Sequence, residues 1–168
     1  MLFAAAGVLA GFASWKWGDW RNWQKYYPTI LYVIMGNMAS ELLMYRTPLW
    51  EYSDVFGDYM VLLIGQMVLL FPGIVILYLS LYPQKPIHQV LYILVWTLGF
   101  TLLEVAAMRT NTFEHYRGWN IWYTALHDLV MFLLLRLHFK KPLLVWPVSF
   151  AVAFAVLWYF RLPLEIAR

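Results

Sequence analysis

At 168 residues, with 63% hydrophobic and 12% charged side chains and a mean hydropathy of +0.63, the chain carries too little polar surface for a water-soluble domain of its size. Its net charge of +3 comes from cations scattered over the ends of apolar runs, not from a basic stripe, which argues against a nucleic-acid partner. With no Cys in the sequence, disulfides, thiolate nucleophiles and Cys-based metal sites are excluded.

The first segment, Leu2 to Trp17, is a run of small apolar residues in which Gly7 and Gly11 stand at GxxxG spacing beside Ala6 and Ala10. Such a face suits close packing on another helix. The segment lacks the positive n-region of a cleaved signal and reads as a short first span, rising about 24 Å against a hydrocarbon core of about 30 Å. Trp15, Trp17, Trp20 and Trp23 then alternate with Lys16, Arg21 and Lys25 ahead of Pro28. That composition predicts an interfacial turn or short in-plane helix, with the four rings anchored in the headgroup layer. An aromatic cage for a cationic ligand is the alternative reading.

Further apolar segments are predicted to span at 29–45, 59–82, 87–108, 119–138 and 143–160. The expected fold is an all-α polytopic integral membrane protein, a single domain over 1–168 with six transmembrane helices. Five remain if the first segment is cleaved or lies on the surface. Within the 59–82 segment, Pro72 removes an amide donor and frees the carbonyl of Val68, so a kink or break is expected there.

The stretch from Gly36 to Arg46 returns 63 positions later: Gly36, Glu41, Arg46, Thr47 and Glu51 match Gly99, Glu104, Arg109, Thr110 and Glu114 without a gap. Shorter cues recur at the other helix ends. Lysine followed by proline (Lys25 and Pro28, Lys85-Pro86, Lys141-Pro142) opens each even-numbered span, and Tyr45-Arg46, Met108-Arg109 and Phe160-Arg161 close them. The pattern suggests three repeated helical hairpins in one orientation. Convergence on interface punctuation is the competing account, since Pro starts helices and cations end them. The Lys-Pro loops hold Lys16, Arg21, Lys25, Lys85, Arg136, Lys140 and Lys141, and the other side holds Arg46, Arg109, Arg117, Arg161 and Arg168. The positive-inside rule then places the Lys-Pro loops in the cytoplasm and both termini outside.

Several runs together resemble a family of short multi-spanning membrane proteins of spore-forming Gram-positive bacteria. They are Trp15 to Trp23 with Tyr27-Pro28-Thr29, Pro48-Leu49-Trp50-Glu51-Tyr52, Leu81-Tyr82-Pro83, Gly118-Trp119-Asn120 and Leu137-His138-Phe139-Lys140-Lys141-Pro142. The resemblance covers nearly the whole chain and implies a bacterial plasma-membrane protein. It transfers no catalytic or binding role to any position, because the family has no assigned activity.

The ionisable residues placed inside spans are Glu41, Glu104, His127 and Asp128. Each Glu lies about 7.5 Å below its closing Arg and about 140° round the helix from it, so the two do not share a face. Asn37 lies one turn before Glu41, Thr97 and Thr101 share the Glu104 face, and Thr124 lies one turn before Asp128. Lipid rejects such groups, so all three polar stripes are expected to point inward and meet. Carboxylates crowded in a low dielectric cannot all ionise, and an adjacent His exchanges protons near neutral pH. Glu41, Glu104, His127, Asp128, Asn37 and Thr101 therefore form a candidate proton, ion or small-ligand site. No His or carboxylate spacing marks a metal, and no cofactor is expected. No Gly-x-Ser-x-Gly elbow is present, which leaves an intramembrane enzyme as the weaker alternative. The two stronger readings are an accessory or structural membrane subunit and a small-solute or ion binding or transport protein. The bilayer is the main partner, with a homodimer or larger membrane complex expected for a chain this short.

Overall fold

The computed structural model describes residues 2–52 and 63–163, with side chains from residue 5 onward. The described chain is mainly helical: α1 (Leu2–Trp17), α2 (Trp23–Met44), α3 (Leu63–Ser80), α4 (Pro86–Arg109), α5 (Ile121–Lys140) and α6 (Pro142–Tyr159). Pro86 and Pro142 begin their helices, where a missing amide donor costs nothing. Asn120 caps α5, its side chain accepting from the Trp122 amide at 3.0 Å. Three helices, Leu63–Ser80, Pro86–Arg109 and Pro142–Tyr159, are long and apolar enough to cross a membrane.

The boundaries differ from the sequence reading in two instructive places. First, α2 starts at Trp23 rather than at residue 29, so the aromatic-cationic run is a single 3-10 turn (Trp20–Asn22) followed directly by helix. Pro28 is carried inside α2, close enough to its start that few backbone bonds are lost. Second, the break expected at Pro72 takes the form of a π turn over Gln66–Leu70, in which the Phe71 amide reaches back to the Gln66 carbonyl. Positions 59–62 of that predicted span, with Leu164 and Arg168, lie outside the described residues.

Helix α3 is the centre of the bundle. Every residue from Gly73 to Leu79 is buried, and α3 packs on α1, α2 and α5. Tyr26, Ile30, Val75, Tyr78, Ile93 and Phe132 make the main core, where the Tyr78 hydroxyl donates to the Phe132 carbonyl at 3.0 Å and the Tyr92 hydroxyl to the Tyr78 carbonyl at 3.1 Å. Half of the apolar stretch of α3 is buried in the protein, against 17% for α4 and 6% for α6, so the latter two are outer walls. The close approach expected of Gly7 and Gly11 belongs to other residues. A Cβ on Gly11 would meet nothing within 4 Å, whereas one on Gly73 would stand 3.2 Å from Ser14 Oγ. At Gly18 a Cβ would fall 2.3 Å from the Ser14 carbonyl, so only glycine lets the chain leave α1 there.

The strictly all-α expectation is corrected by a two-stranded antiparallel ribbon of β1 (Trp50–Tyr52) and β2 (Phe113–His115). It pairs Trp50 with His115, Glu51 with Glu114 and Tyr52 with Phe113, and the Tyr116 amide extends it to the Leu49 carbonyl at 2.8 Å. The ribbon gives the backbone leaving α2 and α4 the partners that it would otherwise have to find in water or headgroups. Leu49, Trp119 and Leu162 pack together at this end. At the other end Tyr26 stacks on Phe139 at 5.5 Å and the Arg136 guanidinium lies 4.1 Å over the Tyr82 ring, which gathers the Lys-Pro turns. Trp15, Trp17, Trp20 and Trp23 are all exposed there.

Candidate functional site

The polar stripes of α4 and α5 meet just beneath the ribbon. On α4, Thr101 and Glu104 are three residues apart and share a face. On α5, Thr124 and Asp128 are one turn apart, and both are buried. The Thr124 hydroxyl donates to Glu104 Oε1 at 2.5 Å, and the Thr101 hydroxyl donates to Asp128 Oδ2 at 3.3 Å.

From the ribbon, His115 Nε2 lies 2.7 Å from the same Glu104 Oε1. The direction of this chain of bonds is set by Trp119, whose indole N–H lies 2.9 Å from Thr124 Oγ1 and can only donate. Thr124 therefore gives its own proton to Glu104, and when that carboxylate is ionised His115 donates from Nε2 to the same oxygen. Two side chains thus converge on Oε1.

The helix that carries Glu41 enters the same region. Tyr52, on the inward face of β1, has its phenol pushed up to about 12, first by burial and then by the charges of Glu41, Glu104 and Asp128, against a hydrogen bond with Gln66 that lowers it. One hydroxyl thus senses carboxylates from α2, α4 and α5. Gln66 is itself buried, on the π turn that replaces the expected kink. Turns of this kind recur where a helix must aim a side chain out of its regular register.

Not every residue singled out from the sequence joins the centre. His127 has a side chain 46% exposed, against 11% for Asp128, and sits at the rim between Trp50 and Trp119, with Nδ1 3.8 Å from Asp128 Oδ1. Its placement one residue before Asp128 turns it about 100° away from the buried face. Asn37 is half-buried, and its backbone carbonyl accepts from Ser40 Oγ at 2.7 Å. Thr97, expected beside Glu104, is buried with no hydrogen-bond partner for Oγ1 among the described residues, Glu104 being satisfied from the ribbon side instead. The surface groove lined by Phe154, Leu157, Trp158 and Arg161 belongs to the end of α6 and shares no residue with these acids.

Four participants were not among the candidate site residues: His115 and Tyr52 on the ribbon, Gln66 on the π turn and Trp119 before α5. Their signal lay in the 63-residue echo, since Trp50-Glu51-Tyr52 and Phe113-Glu114-His115 occupy matching places. Three-residue strands are too short for alternation to declare them. Among the described residues no group of His, Asp or Glu side chains is arranged to hold a metal ion. No protein-family model, curated protein or solved structure matches the chain.

Proposed function

We propose that this is a six-span protein of a bacterial plasma membrane that binds a proton or a monovalent cation at the acids beneath the ribbon, in the service of small-solute or ion transport. The observation that carries the reading is the meeting beneath the ribbon of two carboxylates from different helices, Glu104 bonded to Thr124 and His115 and Asp128 bonded to Thr101. Ionisable groups held inside an apolar bundle are costly and are kept where they bind or move charge. Oxygen atoms of carboxylates and hydroxyls are the donors a hard monovalent cation or a proton needs. The gathering of the Lys-Pro turns at one end of the bundle supports a cytoplasmic placement of that end, with the ribbon outside. The resemblance to membrane proteins of spore-forming bacteria supports the compartment.

A second reading has its own support. The closed chain from Trp119 through Thr124 and Glu104 to His115 is what an accessory subunit with a structural polar core would also carry. Thermal stability in lipid nanodiscs, titrated with sodium, potassium and acid, separates the two. A binding site predicts that Glu104→Gln and Glu41→Gln abolish stabilisation by the effective ion while the melting temperature without it stays within a few degrees. Variants that shift the melting temperature equally in every ionic condition would instead support the structural reading.

A further inference from the structure

The two glutamates are not equivalent, and the ribbon is what distinguishes them. Glu41 and Glu104 are 63 positions apart, and so are Tyr52 and His115. The strand register sets Glu51 opposite Glu114, again 63 positions apart, so the ribbon relates its two strands by a local twofold through that pair. Each half thus carries one acid on its helix and one ring on its strand. Glu104 has an imidazole at 2.7 Å, while the ring at the matching place in the Glu41 half is a phenol. Alternation along the strands turns Tyr52 and His115 toward the bundle and leaves Glu51 and Glu114 exposed on the opposite, water-facing side.

We propose that His115 and Glu104 form a proton-exchange pair linking the acids to water on the ribbon side, a role that the phenol of Tyr52, at the matching place in β1, does not share. The step is a balanced transfer. A hydronium ion gives its proton to Nδ1 of His115 and leaves as water, the Nε2–H proton passes along the hydrogen bond to ionised Glu104 at Oε1, and the ring is left neutral with its proton on Nδ1. Imidazole titrates in the range where such exchange is reversible, and phenol does not. The exposed carboxylates of Glu51 and Glu114, one of them adjacent to His115 in β2, stand at the mouth. On β1 and α4, which pack against β2, the other titratable groups near His115 are Glu51 and Tyr52 on β1 and Arg109 at the end of α4, with Tyr116 just after β2.

This rests on the binding reading above, and its test keeps the two apart. The full-length protein in nanodiscs is melted from pH 5 to 8 as wild type, His115→Gln, Glu104→Gln, the double variant and Tyr52→His. The pair predicts that His115→Gln and Glu104→Gln each lose the same pH-dependent step, that the double variant loses no more than either, and that Tyr52→His adds a step by setting a second imidazole at the matching strand position. Nitrogen-15 spectra of labelled histidine should show the hydrogen-bonded Nε2 signal of His115 changing in Glu104→Gln. If Glu104→Gln loses the step and His115→Gln keeps it, the acids bind a proton but His115 does not carry it, and the pair is overturned. If Glu104→Gln keeps the step, the binding reading falls with it.

Discussion

The bundle buries polar groups at both ends, and the two ends are built differently. Beneath the ribbon three acids gather, and one carboxylate oxygen already holds two donors. At the Lys-Pro end, buried His138 takes Thr29 on Nδ1 at 3.0 Å, the Tyr32 ring stacks on it at 4.3 Å, and the Tyr32 hydroxyl lies 2.7 Å from Ser149 Oγ. No acid enters that second group among the described contacts, and Ser149 passes its own proton to the Val145 carbonyl at 2.9 Å. Neutral partners that satisfy one another tie α2, α5 and α6 together without any need of a ligand. Acids crowded together need a proton, a cation or a change of state to balance them. The comparison makes the Lys-Pro end a clamp and the ribbon end the place where the proposed binding would act.

The largest effect should come from cutting the packing between the ends. Phe132 is fully buried among Tyr78, Trp96 and Phe100, so Phe132→Ala should cost about 3–5 kcal/mol and lower the melting temperature without altering its dependence on pH or cations. Next come the hydroxyls that distinguish the two ends. Thr124→Val strands the Trp119 N–H and takes a donor from Glu104; Thr29→Val strands His138 Nδ1. Each should cost about 1–3 kcal/mol, the price of an unpaired buried group. Only Thr124→Val should also change the pH dependence of melting between pH 5 and 8, and equal pH behaviour of the two variants would erase the distinction. The smallest effect belongs to Thr97→Val, which removes a buried hydroxyl that has no partner and should be neutral or stabilising by about 1 kcal/mol.

The helical nature, the three most apolar segments and the inward turn of the Asp128 stripe were legible in the sequence, whereas the bond from Thr101 to Asp128 was not, since helical spacing puts Thr101 on the Glu104 face. Hydropathy over twenty residues is a strong signal, and a carboxylate in such a run has few places to go. The break before Pro72 was legible as a position but not as a π turn, because proline says which bond is lost and not how the neighbouring turn absorbs it. His115 and Tyr52 were hidden for a different reason. They reach the acids through pairing between strands 63 residues apart, which no local period records. The His138 group was hidden because Thr29, Tyr32 and Ser149 are ordinary residues until three helices bring them together.

The central claim is that Glu41, Glu104 and Asp128 form one electrostatic unit, and Tyr52 is its reporter. Its phenol, pushed from 10.0 to about 12, stays protonated in the native state while the unfolded chain gives up that proton. Stability from this group is thus whole below pH 10 and lost as pH rises toward 12, by about 2–3 kcal/mol. The direct measurement is the titration of Tyr52 in carbon-13 tyrosine spectra of the protein in nanodiscs, assigned with Tyr52→Phe. Each of Glu41→Gln, Glu104→Gln and Asp128→Asn should bring its titration point down toward that of an ordinary phenol. A Tyr52 titration unmoved by all three replacements would contradict the convergence on which the account stands.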